Sequence, residues 1–293
     1  TKLYLKRTRR HSLKHIIKLL RVEHYLKNGR IFLPLFFNKH FLKIDSLVVV
    51  ILGFIAFSMI SSSVYIFNDL QDVEKDKLHP KKRNRPIASG KISIQKAYSL
   101  GFLTLVISFV FSYLAGGLNS LIYIVVYLLL NISYSLGLKN KPLVDIAILS
   151  SGFLIRLMYG AYLSQVDISS WLYLTVIVGS IYLGFGKRRN EFSKLSQYGE
   201  TREVLKYYNY DFLDKNMTIF MALTITFYSL WTVQSNDEYM LWTVPIVIFI
   251  FLRYSLNIET DSDGDPVDVI LHDRYLYLLV ILYIVLISVV LYF

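Results

Sequence analysis

Residues 47–76 read Leu47-Val-Val-Val-Ile-Leu-Gly-Phe-Ile-Ala-Phe-Ser-Met-Ile-Ser-Ser-Ser-Val-Tyr-Ile-Phe67-Asn68-Asp69-Leu-Gln-Asp72-Val-Glu-Lys-Asp76. The part up to Phe67 has the length an α-helix needs to cross a hydrocarbon core, about 20 residues. It runs without a break into the pattern N-D-x-x-D-x-x-x-D. On a continuing helix, Asn68, Asp72 and Asp76 fall at i, i+4 and i+8, with Asp69 three residues before Asp72, so the four share one face. Carboxylates so placed repel one another unless a cation or a hydrogen-bond donor lies between them. A basic run follows at once: Lys75, Lys77, Lys81, Lys82, Arg83 and Arg85. Oxygen ligands for a hard divalent cation beside a cluster of cations suit a metal-bound diphosphate. The plainer alternative is a solvated helix end of mixed charge. The exit of these acids from a membrane-length segment weighs against it, because ionisable groups there are costly and usually functional.

The rest of the chain fits that opening. With 54% hydrophobic and 15% aromatic residues in 293, it is too apolar for a soluble domain of this size. The apolar residues come in helix-length blocks, not in the short alternating segments of a barrel. The spacing predicts an all-α integral membrane bundle of nine transmembrane helices in one domain, residues 21–293. The spans fall at about 22–38, 46–67, 95–115, 118–137, 144–164, 170–186, 216–235, 239–257 and 275–293. Residues 1–20 form a basic amphipathic segment suited to the membrane surface, with 1–10 expected to be disordered. No apolar region with a cleavage site follows the basic N-terminus, so no signal peptide is expected.

Charge sets the orientation. Of the 32 Lys and Arg, 26 fall in residues 1–21 and in the connections on the same side, whereas the opposite connections hold only Lys39 and Lys43. The positive-inside rule then places the N-terminus and the acidic stretch in the cytoplasm and the C-terminus outside, in the plasma membrane. The net charge of +11 reflects those loops and anionic phosphate ligands, not a nucleic-acid surface. There is no cysteine, hence no disulfide or thiolate chemistry. P-loop, dinucleotide-binding and zinc-protease motifs are absent from the sequence.

Further polar features collect on the cytoplasmic face, predicting a central polar cavity that opens there. Tyr134 and Lys139 end the fourth span, and Asp145 opens the fifth. Arg156 lies mid-span with Gly152 and Gly160 four residues to either side, which would admit a neighbouring helix. An ion pair with Asp145 or another buried acid is the structural alternative for Arg156. Lys187 follows two glycines at the end of the sixth span. Residues 205–214 are amphipathic and read as a lid. The acidic loop 264–274 reads either as a closure of the site or as a cap on the last helix.

These residues resemble the UbiA-type superfamily of intramembrane prenyltransferases, and within it the polyprenyl-phosphate (decaprenyl-phosphate) phosphoribosyltransferases. Residues 21–28, 68–90 (including H-P-x-K-R-x-R-P-I-A-x-G), 134–145, 151–161 with Gly186-Lys-Arg, and the loops 205–214 and 266–274 carry the likeness. It implies a nine-helix bundle and Mg²⁺-dependent transfer of 5-phosphoribose from 5-phosphoribosyl 1-diphosphate to a polyprenyl phosphate in the bilayer. In that reading Asn68, Asp69, Asp72 and Asp76 hold the metal. Lys82, Arg83 and Arg85 bind the diphosphate or the 5-phosphate, and Tyr134, Lys139, Arg156 and Lys187 line the remaining phosphate pocket. Lys27 and Asn28 are the candidates for the lipid phosphate. The chain departs from the wider superfamily after the sixth span. A second D-x-x-x-D is replaced there by Lys187-Arg-Arg-Asn-Glu191, and the nearby acids are Asp211 and Asp214. The alternative enzyme, a prenyltransferase joining a prenyl diphosphate to an aromatic or quinone-precursor acceptor, would need that second acidic motif. A transporter would show internal repeats and broken helices at mid-membrane, which the sequence lacks. A homo-oligomer is compatible with the sequence.

Overall fold

The computed structural model describes residues 13–79, 82–194, 203–235, 237–258 and 264–293. The expected disordered segment 1–10 lies outside them. Helix α1 covers residues 13–20. A 3-10 helix, Val22–Phe32, continues into α2, Leu33–Phe37, with Pro34 in its first turn. Next come α3 (Ile44–Gln71), α4 (Val73–Leu78), α5 (Ile94–Ser135), α6 (Val144–Ser164) and α7 (Ser170–Ser193). The chain ends with α8 (Tyr210–Gln234), α9 (Thr243–Asn257), α10 (Pro266–His272) and α11 (Arg274–Tyr292). No strand occurs among the described residues.

Among the described residues, six helices are long and apolar enough to cross a membrane, against the nine spans expected. One of the six, α5, has 42 residues, about 63 Å at 1.5 Å per residue and twice a hydrocarbon core. It reverses at Gly116 and Gly117, as the glycine pair foretold. Gly117 has φ 68°, ψ −161°, a conformation essentially restricted to glycine. At Gly116 a Cβ would come within 2.8 Å of Leu163 and 2.9 Å of Ser120. Two other expected spans do not qualify: Val22–Phe32, with 11 residues, is too short as well as polar, and α7 ends in Lys187-Arg-Arg-Asn-Glu191.

Small polar residues on α3 let it pack closely in the centre. Ser63 Oγ donates to the Gly101 carbonyl on α5 (2.9 Å), and Ser62 Oγ donates to the Leu20 carbonyl (2.8 Å). Such bonds replace the hydrophobic drive that is missing between helices in lipid. Gly160 meets the 3-10 helix backbone, where a Cβ would lie 2.0 Å from the Ile31 carbonyl oxygen. Gly152 does something else: the group over it is Arg156's own guanidinium, 3.3 Å from a built Cβ. The two largest of four apolar clusters lie along the bundle. One surrounds Phe57, Ile60, Tyr127 and Tyr159, and the other surrounds Tyr182, Phe185, Leu213 and Tyr254. Helix starts follow the usual capping chemistry: Ser93, Ser169, Asn209, Asp265 and Asp273 each accept from a backbone N–H of the helix that follows.

Candidate active site

The acidic motif does not continue as one regular helix. α3 ends at Gln71 and Asp72 takes φ −95°, ψ 8°, although the backbone bonds Asp72 N–H to Asn68 O (3.1 Å) and Asp76 N–H to Asp72 O (2.8 Å) persist. The bend changes which side chains meet. Asp69 and Asp76 are buried, at 3% and 2% exposure, and both pair with the same nitrogen of Arg85, at 3.1 and 2.6 Å, Asp76 accepting a hydrogen bond from it. Arg21 adds a second contact to Asp69 at 2.7 Å and lies over the Tyr65 ring. Asn68 instead accepts from Ser135 Oγ on α5 at 2.8 Å. Asp72 is half-buried and has no side-chain partner among the described residues. A solvated helix end is therefore excluded.

The described residues contain no cluster of three His, Asp or Glu closed tightly enough to hold a metal as they stand. The donor set nevertheless fits a hard divalent cation. Two buried carboxylates converge on one positively charged nitrogen, and an amide oxygen and an unpaired carboxylate lie within one turn of them on the chain.

A second group of ions gathers around Tyr65 from the 3-10 helix, α6, α7 and the last loop. Lys27 forms an ion pair with Asp265, and its ammonium also meets His24 Nδ1 at 3.4 Å. Burial pushes the Asp265 carboxyl up, but the Lys27 ammonium, its hydrogen bond and Lys187 outweigh this and hold it below its usual range. The acidic loop thus closes over the site through Asp265 and caps α11 through Asp273. Asn28, 1% exposed, does not face a lipid surface: its amide donates to Ser58 Oγ (3.1 Å) and accepts from Arg156 Nε (2.8 Å). Arg156 also donates to the Gly152 carbonyl and lies over the Phe57 and Tyr127 rings.

Asp145 does not pair with Arg156. It takes Arg188, a fully buried guanidinium, at 2.5 Å; Arg188 also pairs with Glu191 and donates to Tyr134 Oη at 3.3 Å. Tyr208 completes the network by donating to Asp145 at 2.8 Å. The expected lid is in fact packed down, with Val204 and Leu205 buried in the core. Of the other sequence candidates, Arg83 and Lys82 are exposed, and the Lys139 ammonium has no partner among the described residues. Arg21, Arg30, Arg188 and Asp265 escaped the sequence reading. The block 21–28, the G-K-R helix end and the acidic loop 264–274 contain three of them, but only the fold gives the partners.

Two openings flank these groups. A lateral crevice of about 390 Å³ between α3 and α5 runs from apolar Val64, Phe67, Leu105 and Leu128 to Asn68, Asn131 and Ser135. A pocket of about 770 Å³ lies at the opposite end of the bundle, around Tyr123, Tyr162, Asp167 and Tyr173. Neither of the two is the central polar cavity expected from the sequence.

Six helices long and apolar enough to cross a membrane define an integral membrane protein, with buried ionic groups gathered at one end of the bundle. The chain belongs to the UbiA prenyltransferase family, which it matches over residues 31–279, and it is an enzyme of that family. It is 34% identical over 263 residues to a decaprenyl-phosphate phosphoribosyltransferase of Mycolicibacterium smegmatis, covering 85% of this chain and 82% of the relative. It is 32% identical over 280 residues to the enzyme of that name from Corynebacterium glutamicum, covering 90% and 82%. The fold matches a UbiA homologue from Archaeoglobus fulgidus, solved with GPP and Mg²⁺. The TM-score is 0.71 and the identity 16%, over 94% of this chain and 99% of that one.

Proposed function

We propose that the chain transfers 5-phosphoribose from 5-phosphoribosyl 1-diphosphate to a polyprenyl phosphate, giving polyprenyl-phosphoryl-5-phosphoribose and diphosphate. The carrying observation is the charge layout. Among the described residues, the acidic pair Asp69 and Asp76 lies beside the basic groups Arg21, Lys27, Arg30, Arg85, Arg156 and Lys187. That suits one diphosphate with two further phosphate groups. The similarity to phosphoribosyltransferases over most of the chain supports the same donor and acceptor.

In this reading Asn68, Asp69, Asp72 and Asp76 hold Mg²⁺, which when bound offsets the charge the diphosphate gains as the C1–O bond breaks. Arg85 moves from the carboxylates toward the diphosphate, with Lys82 and Arg83 at its solvent side. Arg156, Lys187, Tyr134 and Lys139 receive the other phosphates. Lys27 orients the lipid phosphate, and Asn28 acts as a positioning residue by fixing Arg156. A lipid phosphate oxygen bonds to C1 from the face opposite the diphosphate, inverting that carbon. The nucleophile is already ionised near neutral pH, so the side chains position it and no general base is required.

We place nine crossings in the membrane by counting both halves of α5, the 22–37 segment and α7. The N-terminus and the acidic motif then lie in the cytoplasm, with an interfacial segment at 1–20 ahead of one catalytic domain. A prenyltransferase with an aromatic acceptor is the second reading, favoured by the GPP in the fold neighbour. Against it, Asp214 is paired with Arg189 and Asp211 is 84% exposed, so neither joins a second acidic cluster among the described residues. The test is label transfer by purified protein with Mg²⁺ and a short polyprenyl phosphate. Radiolabel should pass from the sugar donor into the lipid phase and be lost with EDTA. Prenylated 4-hydroxybenzoate formed from prenyl diphosphate, with no sugar transfer, would overturn the assignment.

A further inference from the structure

Nearly every buried or half-buried cation here with a described partner has a carboxylate. Arg21 and Arg85 share Asp69 and Asp76, Lys27 has Asp265, and Arg188 has Asp145 and Glu191. Arg30 and Arg156 are the exceptions. Arg156 is 7% exposed and bonds only to neutral oxygens, those of Asn28 and Gly152. Arg30 donates to the Lys27 carbonyl at 3.1 Å and lies 3.9 Å over the Phe153 ring, on the turn of α6 that also carries Gly152 and Arg156. The two guanidiniums are close enough to repel each other. Neither forms an ion pair with any described residue. A guanidinium has five N–H donors, and most of those on this pair are unused. Asp265, already committed to Lys27, acts on Arg30 only through space. Two like charges held together without an ion pair of their own are costly, and an anion that accepts from both lowers that cost.

We propose that Arg30 and Arg156 form a phosphomonoester site, separate from the acidic motif, with Asn28 and Ser58 fixing the Arg156 fork. The site rests on the phosphoribosyl reading for its role and names a residue, Arg30, that the motif analysis did not include. Two guanidinium charges match the dianion of a phosphomonoester, and their planar forks match its oxygens. The diphosphate has its own partners at Arg85 and the acidic motif. The occupant is either the sugar's 5-phosphate or the lipid phosphate, which present the same chemistry.

The test uses the purified full chain in detergent, as wild type, Arg30→Gln and Arg30→Lys. Melting is followed with ribose 5-phosphate or farnesyl phosphate, with ribose and farnesol as neutral controls. KM is measured for both substrates. One phosphomonoester should raise the wild-type melting temperature, and Arg30→Gln should abolish that rise. The KM for the matching substrate should increase about tenfold or more, as expected for losing a charged hydrogen-bond pair, with Arg30→Lys between the two. A change in the ribose 5-phosphate arm assigns the sugar phosphate; a change in the farnesyl phosphate arm assigns the lipid. Folded variants that keep both responses and both KM values overturn the site. If Arg30→Gln does not fold, Arg30→Lys decides, because it keeps the charge and loses only the fork. The melting arm needs no turnover. Prenyl transfer by a wild type whose phosphate response depends on Arg30 would therefore overturn the reaction and leave the site standing.

Discussion

Asn28 Oδ1 accepts a 2.8 Å hydrogen bond from Arg156 Nε, tying the first 3-10 helix to α6 where both side chains are buried. Asn28→Leu leaves that N–H without an acceptor and should cost about 1–3 kcal/mol, read as a lower melting temperature. Asn28→Asp supplies a carboxylate instead. It should keep or raise the melting temperature while weakening phosphate binding, because Arg156 then has an internal counter-ion. KM values alongside melting curves separate the two effects.

Gly160 should tolerate nothing larger. Its α6 backbone passes so close to Ile31 that an added Cβ would sit 2.0 Å from a carbonyl oxygen that cannot swing aside. Gly160→Ala should cost about 1–3 kcal/mol, the usual penalty for overpacking, and should lower activity by displacing Asn28 from Arg156. Gly152→Ala meets a side-chain nitrogen of Arg156 at 3.3 Å instead of backbone at 2.0 Å, so it should cost less than Gly160→Ala. Equal melting temperatures for the two variants would contradict this packing.

Asp145 and Arg188 are both fully buried. Asp145→Asn leaves the guanidinium with Glu191 as its one described counter-ion and should cost up to about 3–5 kcal/mol, whereas apolar replacement of Asp145, Arg188 and Glu191 together should recover most of it. Recovery of stability without recovery of activity in the triple variant would place these groups in the chemistry as well as the frame.

The Lys27–Asp265 contact gives a signed pH dependence. The Asp265 carboxyl lies below its ordinary value in the folded chain. Its stabilisation is therefore full above the ordinary aspartate range and is lost as pH falls through the lowered value. Melting temperature should drop on that acid limb, and Asp265→Asn should flatten it while keeping the helix cap on Val267. An unchanged acid limb in the variant would remove the linkage.

Arg21 and Arg85 together already offset the charges of Asp69 and Asp76. Chelation of Mg²⁺ should accordingly stop turnover and leave the melting temperature within a degree or so, since a charge change compensated in place alters stability little. Asp72→Asn should behave the same way, because Asp72 carries no structural contact among the described residues. Unfolding by EDTA would show that the metal, not the two arginines, holds the motif together.

What the sequence revealed depended on how local the cause was. Membrane-length helices, the break at Gly116, the close approach at Gly160 and the acidic motif are written within a few turns of chain. The partners were not legible, because they are distant: Lys27 and Asp265 are 238 positions apart, Arg21 and Asp69 are 48 apart, and Arg188 and Asp145 are 43 apart. A span hydrophobic enough to recognise says nothing about which charge faces which. Asn28 was assigned to a ligand because its role in orienting Arg156 exists only once α6 crosses the 3-10 helix.

The reversal at Gly116 and Gly117 has no slack. One inserted residue there would rotate the second half of α5 by about 100° around its axis and carry Tyr127, Asn131 and Ser135 away from their neighbours. The loops at the opposite end, where the ionic groups lie, can lengthen without turning a helix. Evolutionary drift in chain length should therefore be lopsided, frozen at the glycine turn and permitted at the catalytic end, so that substrate preference can change while the frame stays in register.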